Sequence, residues 1–174
     1  MKIYLVGYMG SGKSTLGYSL AVSLNYQHID LDIEFETKYK ISISDFFRKY
    51  GEPAFRELEH KLLADFSNVT DLVISTGGGT PCFHQNMEFM NRTGLTIYLK
   101  ASPELVLQRI QTSGRKRPLF QLMETDEPLQ KITGHIQSRL VFYEQAAIYT
   151  DAECPNIPEL KKLILQYSEK FNGL

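Results

Sequence analysis

Lys2-Ile3-Tyr4-Leu5-Val6 runs straight into Gly7-Tyr8-Met9-Gly10-Ser11-Gly12-Lys13-Ser14, and a helical pattern from Ser14 to Leu24 follows. The apolar run is rich in β-formers and stops at a glycine, as a strand buried on both faces does. The next eight residues match G-x-x-x-x-G-K-[ST] in full, in the strand–turn–helix context that gives the pattern its meaning. The glycines let the backbone curl until successive N–H groups point at phosphate oxygens. The helix adds its positive end to the same place. In such a loop Lys13 reaches the β- and γ-phosphates and the Ser14 hydroxyl holds Mg²⁺. A tight turn with a solvent-facing lysine would need neither the strand nor the helix. The stretch therefore predicts a nucleoside triphosphate site in an α/β fold.

Outward from the loop, helices and short apolar strands alternate. Leu16, Leu20, Val22 and Leu24 supply the stripe of the first helix. His28-Ile29-Asp30 is a short extended segment and Leu31 to Tyr39 a second helix. Ser42 caps a third, with Asp45 as capping-box partner and Phe46, Phe47 and Tyr50 on its inner side. Gly51 breaks it, and Glu52-Pro53 opens a further helix carrying Leu58, Leu62, Leu63 and Phe66. Leu72 to Thr76 reads as a strand ending on Gly77-Gly78-Gly79, and Leu95 to Leu99 as another, with a helix through Gln85 to Asn91 between them. Ser102-Pro103-Glu104 opens a helix with cap, first-turn proline and first-turn acid in order. From Thr112 to about Asp126 the periodicity fails around Gly114 and Arg115-Lys116-Arg117-Pro118, which predicts a mobile, cationic lid. Helix signal resumes near Pro128 and continues towards Ile148; Pro158 to Phe171 closes the chain. The alternation predicts a parallel sheet covered on both faces, and no linker divides it.

Composition narrows the functions. The chain has 174 residues, of which 43% are hydrophobic and 22% charged, enough for one domain with its own core. Nineteen Lys and Arg face twenty Asp and Glu, which excludes nucleic-acid binding by bulk charge. Cys82 and Cys154 lack disulfide-framework or zinc spacing, and His28, His60, His84 and His135 show no metal spacing and no catalytic assignment. No run approaches the length needed to span a bilayer, so the expectation is a soluble cytoplasmic protein with no membrane partner. The absence of an Asn/Thr-Lys-x-Asp guanine-reading motif argues against a GTPase, and little chain remains for a motor module. A small-molecule kinase is the expectation.

The acceptor side rests on weaker, scattered signals. Asp30-Leu31-Asp32 could set one carboxylate towards Mg²⁺ and one towards an acceptor hydroxyl, though solvent-facing or helix-capping acids fit the same residues. Arg56, Arg117 and Arg139 lie apart from one another beside a glycine turn, which suits a small anionic acceptor, and an arginine fork suits a carboxylate. Taken singly, Arg56 and Arg139 also fit surface ion pairs with a helical acid, and Arg109 fits an ordinary helix-face residue.

Together these elements resemble the shikimate kinase family along nearly the whole chain. The resemblance rests on GxxGSGKS at Gly7 to Ser14, D-x-D at Asp30 and Asp32, F-R-x-x-E at Phe55 to Glu59, the Gly77 to Gly79 triplet, R-P-L at Arg117, and R-x-x-x-Y at Arg139 and Tyr143. It implies a P-loop, nucleoside monophosphate kinase-like α/β fold: a five-stranded parallel sheet of order 2-3-1-4-5 flanked by helices. The lid would span about 112–126 and the acceptor-binding region about 31–62. It implies phosphorylation of the shikimate 3-hydroxyl by ATP with Mg²⁺, on the route to aromatic amino acids, by a monomer. By the same resemblance ATP is held by Gly10, Ser11, Gly12, Lys13, Ser14, Thr15, Arg109, Arg117 and a late-loop proline, Pro155 or Pro158. Asp32 is the base, with Lys13 and Arg117 the other catalytic groups, and Ser14 and Asp30 serve the metal. Shikimate is held by Asp32, Arg56, Gly78, Gly79 and Arg139. Phe120 departs from the family by following Arg117-Pro118-Leu119 where a second leucine is common. A gluconate or nucleoside monophosphate kinase is the neighbouring enzyme alternative, and a catalytically silent nucleotide-binding regulator the alternative of another class.

Overall fold

A computed structural model describes residues 1–112 and 127–172. The strands are β1 (Lys2–Val6), β2 (Gln27–Asp30), β3 (Leu72–Ser75), β4 (Leu95–Lys100) and β5 (Ile148–Asp151). They form one sheet in the order β2-β3-β1-β4-β5, every pairing parallel, with Tyr4 opposite Ile74 on one side and Thr96 on the other. This is the order implied by the resemblance. β1, β3 and most of β4 are buried, as their unbroken apolar runs require when helices cover both faces.

The helices are α1 (Lys13–Leu24), α2 (Leu31–Tyr39), α3 (Ile43–Asp65), α4 (Asn86–Thr93), α5 (Pro103–Thr112), α6 (Pro128–Tyr143) and α7 (Ile157–Asn172), with a 3₁₀ turn at Thr80–Cys82. α1 ends on Asn25 in the left-handed region, whose N–H caps the carbonyls of Ala21 and Val22. Ser42 caps α3 by accepting from the Asp45 N–H at 3.1 Å. The Asp45 carboxylate accepts from the Ser42 hydroxyl at 2.6 Å. α3 runs through Gly51, which sits at φ 80 and kinks the helix. Phe35 from α2 meets Phe46 at 5.3 Å and Phe55 at 4.8 Å, both on α3, locking the two helices together. Burying a ring such as Phe35, 1% exposed, contributes about 1.5–3 kcal/mol.

Three expectations are corrected. Val22 and Tyr50 are 65% and 51% exposed: the neighbouring elements cover only part of each helix face, so helical spacing overstates the stripe. The signal reaching towards Ile148 is two elements. α6 ends at Tyr143 and β5 follows, an edge strand whose alternating burial gives only two half-buried positions.

β1 lies between β3 and β4, so the chain leaves the sheet centre in opposite directions. Ligands in open α/β sheets bind beyond the carboxyl ends of strands at such a reversal. The loop after β1, Asp30 at the end of β2 and the glycine turn after β3 all gather there.

Candidate active site

The loop after β1 has the curl that phosphate binding needs. Gly7, Gly10 and Gly12 take φ of 141, 75 and 100, values side-chain-bearing residues rarely adopt. α1 starts at Lys13, so the N–H groups of its first turn, Ser14 and Thr15 among them, belong to a helix N-terminus that no side chain caps. Lys13 Nζ donates to the carbonyls of Gly7 and Tyr8, both at 2.8 Å, and so arches over the loop. Ser11 Oγ is buried without a hydrogen-bond partner, an orphan that a ligand oxygen would satisfy. The loop fits a nucleotide's phosphates.

Ser14 and Asp30 meet directly: the Ser14 hydroxyl donates to Asp30 Oδ2. The other Asp30 oxygen caps α2, accepting from the N–H groups of Asp32 and Ile33 at 3.1 and 3.4 Å. Asp30 is therefore both the helix-capping acid and the partner of Ser14. Two hard protein oxygens suit Mg²⁺, which keeps water and phosphate oxygens as its remaining ligands. The residues fit the metal.

The acceptor side is a knot of side chains around the turn after β3. Arg56, 8% exposed, donates through Nη1 to Glu59 Oε2 at 2.8 Å and through Nη2 and Nε to Glu52 Oε1 at 2.9 and 3.1 Å. Glu59 is 2% exposed, and its other oxygen accepts from the Thr80 hydroxyl at 2.6 Å. Burial lowers the Arg56 pKa, but Glu59 and Glu52 outweigh it and hold the guanidinium above its ordinary value. The Phe83 ring lies 4.5 Å from its Cζ. A Cβ on Gly79 would stand 2.4 Å from Arg56 Nη2, so the guanidinium lies against the glycine backbone. A Cβ on Gly77 would stand 2.8 Å from Asp32 Oδ1, 2.9 Å from Glu59 Oε1 and 3.0 Å from Thr80 Oγ1. One on Gly78 would stand 3.0 Å from Met9 N, so the turn abuts the phosphate loop.

α6 closes the far wall. Tyr143 donates to the Gly78 carbonyl at 2.6 Å and is fully buried, which pushes its hydroxyl pKa up against the pull of Arg139 and keeps it a donor. Arg139, one turn earlier, places its guanidinium 5.7 Å from the Tyr8 ring centre. The structure thus brings Asp32, Arg56, Gly78, Gly79 and Arg139 around one turn beside the phosphate loop. Arg56 does pair with helical acids, as its spacing allows, but from a buried position: Glu59 is buried with it, and only Glu52 is exposed.

Arg109 bridges two loops. Its Nη1 donates to the Ser11 carbonyl at 2.5 Å and its Nη2 to the Ala152 carbonyl at 2.9 Å. An open pocket of about 390 Å³ is lined by Ser102, Glu104, Leu105, Gln108, Arg109 and Glu153. Pro158 is the second residue of α7 and exposed, whereas Pro155 is half-buried in the loop after Ala152. Of the two, only Pro155 remains a loop residue on the Arg109 side. Arg117, Phe120 and the expected lid fall outside the described residues.

Sequence reasoning gave no role to Glu59 or Thr80, although both hold the Arg56 corner. The i, i+3 spacing of Arg56 and Glu59 on a helix was the available signal. Nothing in the sequence announces Thr80, which reaches Glu59 only through the fold.

Known proteins similar to this chain match it along nearly its whole length. A family profile described as shikimate kinase matches residues 9–167. A shikimate kinase of Bacteroides thetaiotaomicron is 42% identical over 153 residues, which is 88% of this chain and 87% of that protein. A crystal structure of shikimate kinase from that organism superposes with a TM-score of 0.84 at 38% identity, covering 99% of this chain and 98% of the other. Shikimate kinase from Acinetobacter baumannii, solved in complex with shikimate, gives 0.83 at 35% identity, covering 97% and 93%.

Proposed function

The chain belongs to the shikimate kinase family, and from that premise we propose that the knot around Gly77 to Gly79 is where shikimate binds and accepts a phosphoryl group on its 3-hydroxyl. The enzyme is an ATP-dependent kinase acting with Mg²⁺ in the supply of aromatic amino acids. The observation that carries the site reading is the Arg56 guanidinium, buried, doubly ion-paired and laid against Gly79 within reach of the phosphate loop.

ATP with Mg²⁺ supplies the transferable phosphoryl group and part of the neutralising charge; the protein supplies position and the rest. Gly10 to Thr15 offer backbone N–H groups, and Lys13 adds a cation fixed over the loop. Ser14 and Asp30 would hold the metal. Arg56 and Arg139 bind the acceptor carboxylate by charge-assisted bonds. Asp32, set beside Gly77 by the capped start of α2, orients the hydroxyl and takes its proton as the bond forms. Glu59 and Thr80 keep Arg56 aimed, and Tyr143 holds the turn through the Gly78 carbonyl. Arg109 and Pro155 flank the base, and Arg117 adds charge from the lid.

Every residue named comes from one chain, so a monomer suffices. Among the described residues no helix is long and apolar enough to cross a membrane, and both cysteines are free thiols, which suits a reducing cytoplasm. ATP-dependent turnover of shikimate, gluconate and nucleoside monophosphates in parallel tests the reading. Phosphorylation of shikimate alone supports it, and preference for another acceptor overturns it.

A further inference from the structure

Tyr8 sits within the phosphate loop, and its ring packs against α6. It is 2% exposed. Its hydroxyl shares a hydrogen bond of 2.9 Å with His135 Nδ1, and the two rings meet edge-on at 5.5 Å and 87°. The same ring also meets Arg139, whose Cζ lies 5.7 Å from its centre. His135 and Arg139 are one helical turn apart, so they share a face of α6. The Tyr8 carbonyl meanwhile accepts from Lys13 Nζ at 2.8 Å. One residue therefore ties the loop lysine to the arginine assigned to the acceptor.

We propose that His135 is a positioning residue for acceptor binding: by anchoring the Tyr8 hydroxyl it fixes the ring on which Arg139 rests, and so aims that guanidinium at the acceptor carboxylate. The inference rests on the shikimate kinase reading of the site. That hydrogen bond is what holds the ring in one orientation, so removing either the imidazole or the hydroxyl frees the ring to turn. Arg139 makes its ring contact with that same phenol, so the turn would move its support. Burial, and then Arg139, hold the His135 pKa below its ordinary value, while Glu52 from α3 pulls it up. Tyr8 is pushed up by burial and pulled down by Arg139. A neutral imidazole beside a neutral phenol is the pair that shares a hydrogen bond without adding a cation next to Arg139.

The test compares His135→Leu, His135→Asn and Tyr8→Phe with the wild type, each checked by circular dichroism. Asn can place a polar atom near the position of Nδ1, whereas Leu cannot. His135→Leu should raise the shikimate KM about fivefold, leave the ATP KM and kcat within about twofold, and be rescued by His135→Asn. Tyr8→Phe should reproduce the Leu effect, and adding it to His135→Leu should bring no further loss. If His135→Leu does not fold, Tyr8→Phe alone carries the same prediction. A wild-type shikimate KM in the folded variants overturns the inference, as does an Asn variant no better than Leu. A fall in kcat with ATP affinity also overturns it. If the wild type itself does not phosphorylate shikimate, the functional reading falls and the inference with it. Normal wild-type turnover beside an unaffected His135→Leu overturns the inference alone.

Discussion

The phosphate loop and the acceptor knot lie side by side at the carboxyl end of the sheet, but they are made differently. The loop is eight consecutive residues whose working parts are mostly backbone: three glycines at positive φ, a helix N-terminus, and a lysine held by the loop's own carbonyls. The knot is built mostly of side chains from α2, α3, the turn after β3 and α6, with Arg56 bonded to Glu59, Glu59 to Thr80, and Tyr143 to the Gly78 carbonyl. A backbone site depends on local conformation and loses function when a glycine or the lysine goes. A side-chain site depends on tertiary packing, so a single deletion harms both recognition and stability.

Lys13→Ala should produce the largest loss, about 10³-fold in turnover, with unchanged circular dichroism because the loop is a local structure. Wild-type turnover in that folded variant would remove the nucleotide assignment from the loop. Asp32→Asn keeps the size of the side chain and should lower single-turnover phosphorylation about 10²-fold, with shikimate binding within a few-fold. Rapid-quench measurements paired with calorimetry read both numbers, and transfer at the wild-type rate would acquit Asp32.

Arg56→Ala sharpens the comparison, because it should act twice. The shikimate Kd should rise about tenfold, equivalent to about 1.4 kcal/mol. Glu59 would then be a buried carboxylate without its cation, a loss of about 3–5 kcal/mol in stability. Adding Glu59→Gln should restore much of the Tm and none of the affinity. Equal recovery of both would mean that Arg56 is structural only. Gly79→Ala is milder: φ is −92, ordinary for any residue, so only the 2.4 Å approach to Arg56 matters. Shikimate affinity should fall about fivefold at nearly constant Tm.

The smallest effect is on pH. His28, bonded to Ser75 at 3.0 Å under the phosphate loop, and His135, at the acceptor wall, are both held below their usual 6.5, first by burial. The unfolded chain then takes up protons first on acidification. Stability present above about pH 6.5 is lost as pH falls through the lower folded-state values. The Tm difference between pH 7 and pH 5 should shrink in His28→Asn/His135→Asn. An unchanged difference would show that neither ring contributes.

This contrast also explains what could be read before the fold was seen. Gly7 to Ser14 is legible because its chemistry and its conformation are encoded in the same eight residues. Asp30 was legible only as one of several options; capping α2 and meeting Ser14 turn out to be compatible duties of its two oxygens. β5 escaped because Ile148-Tyr149-Thr150-Asp151 is a short edge strand following a helix without a glycine stop. Thr80 and the Tyr8–His135 pair join residues 21 and 127 positions apart, distances at which periodicity carries no information.

The parallel sheet has one last consequence, for handling the molecule and not for its chemistry. Since the phosphate loop, Asp30 and the glycine turn all lie at the carboxyl ends of the strands, the opposite rim is turned away from the site. The turn's exposed middle, Asn68 to Thr70 between α3 and β3, is on that rim; its flanks are tied down, Ser67 O accepting from Lys2 Nζ and Asp71 pairing with the Met1 amino group. It is a natural place to attach a dye, a surface tether or a fused domain with the reacting end left facing outward. Gly94 on the same rim is not such a place, because a Cβ there would stand 2.6 Å from the Lys2 carbonyl. The rim is permissive residue by residue, and the turn is where it gives way.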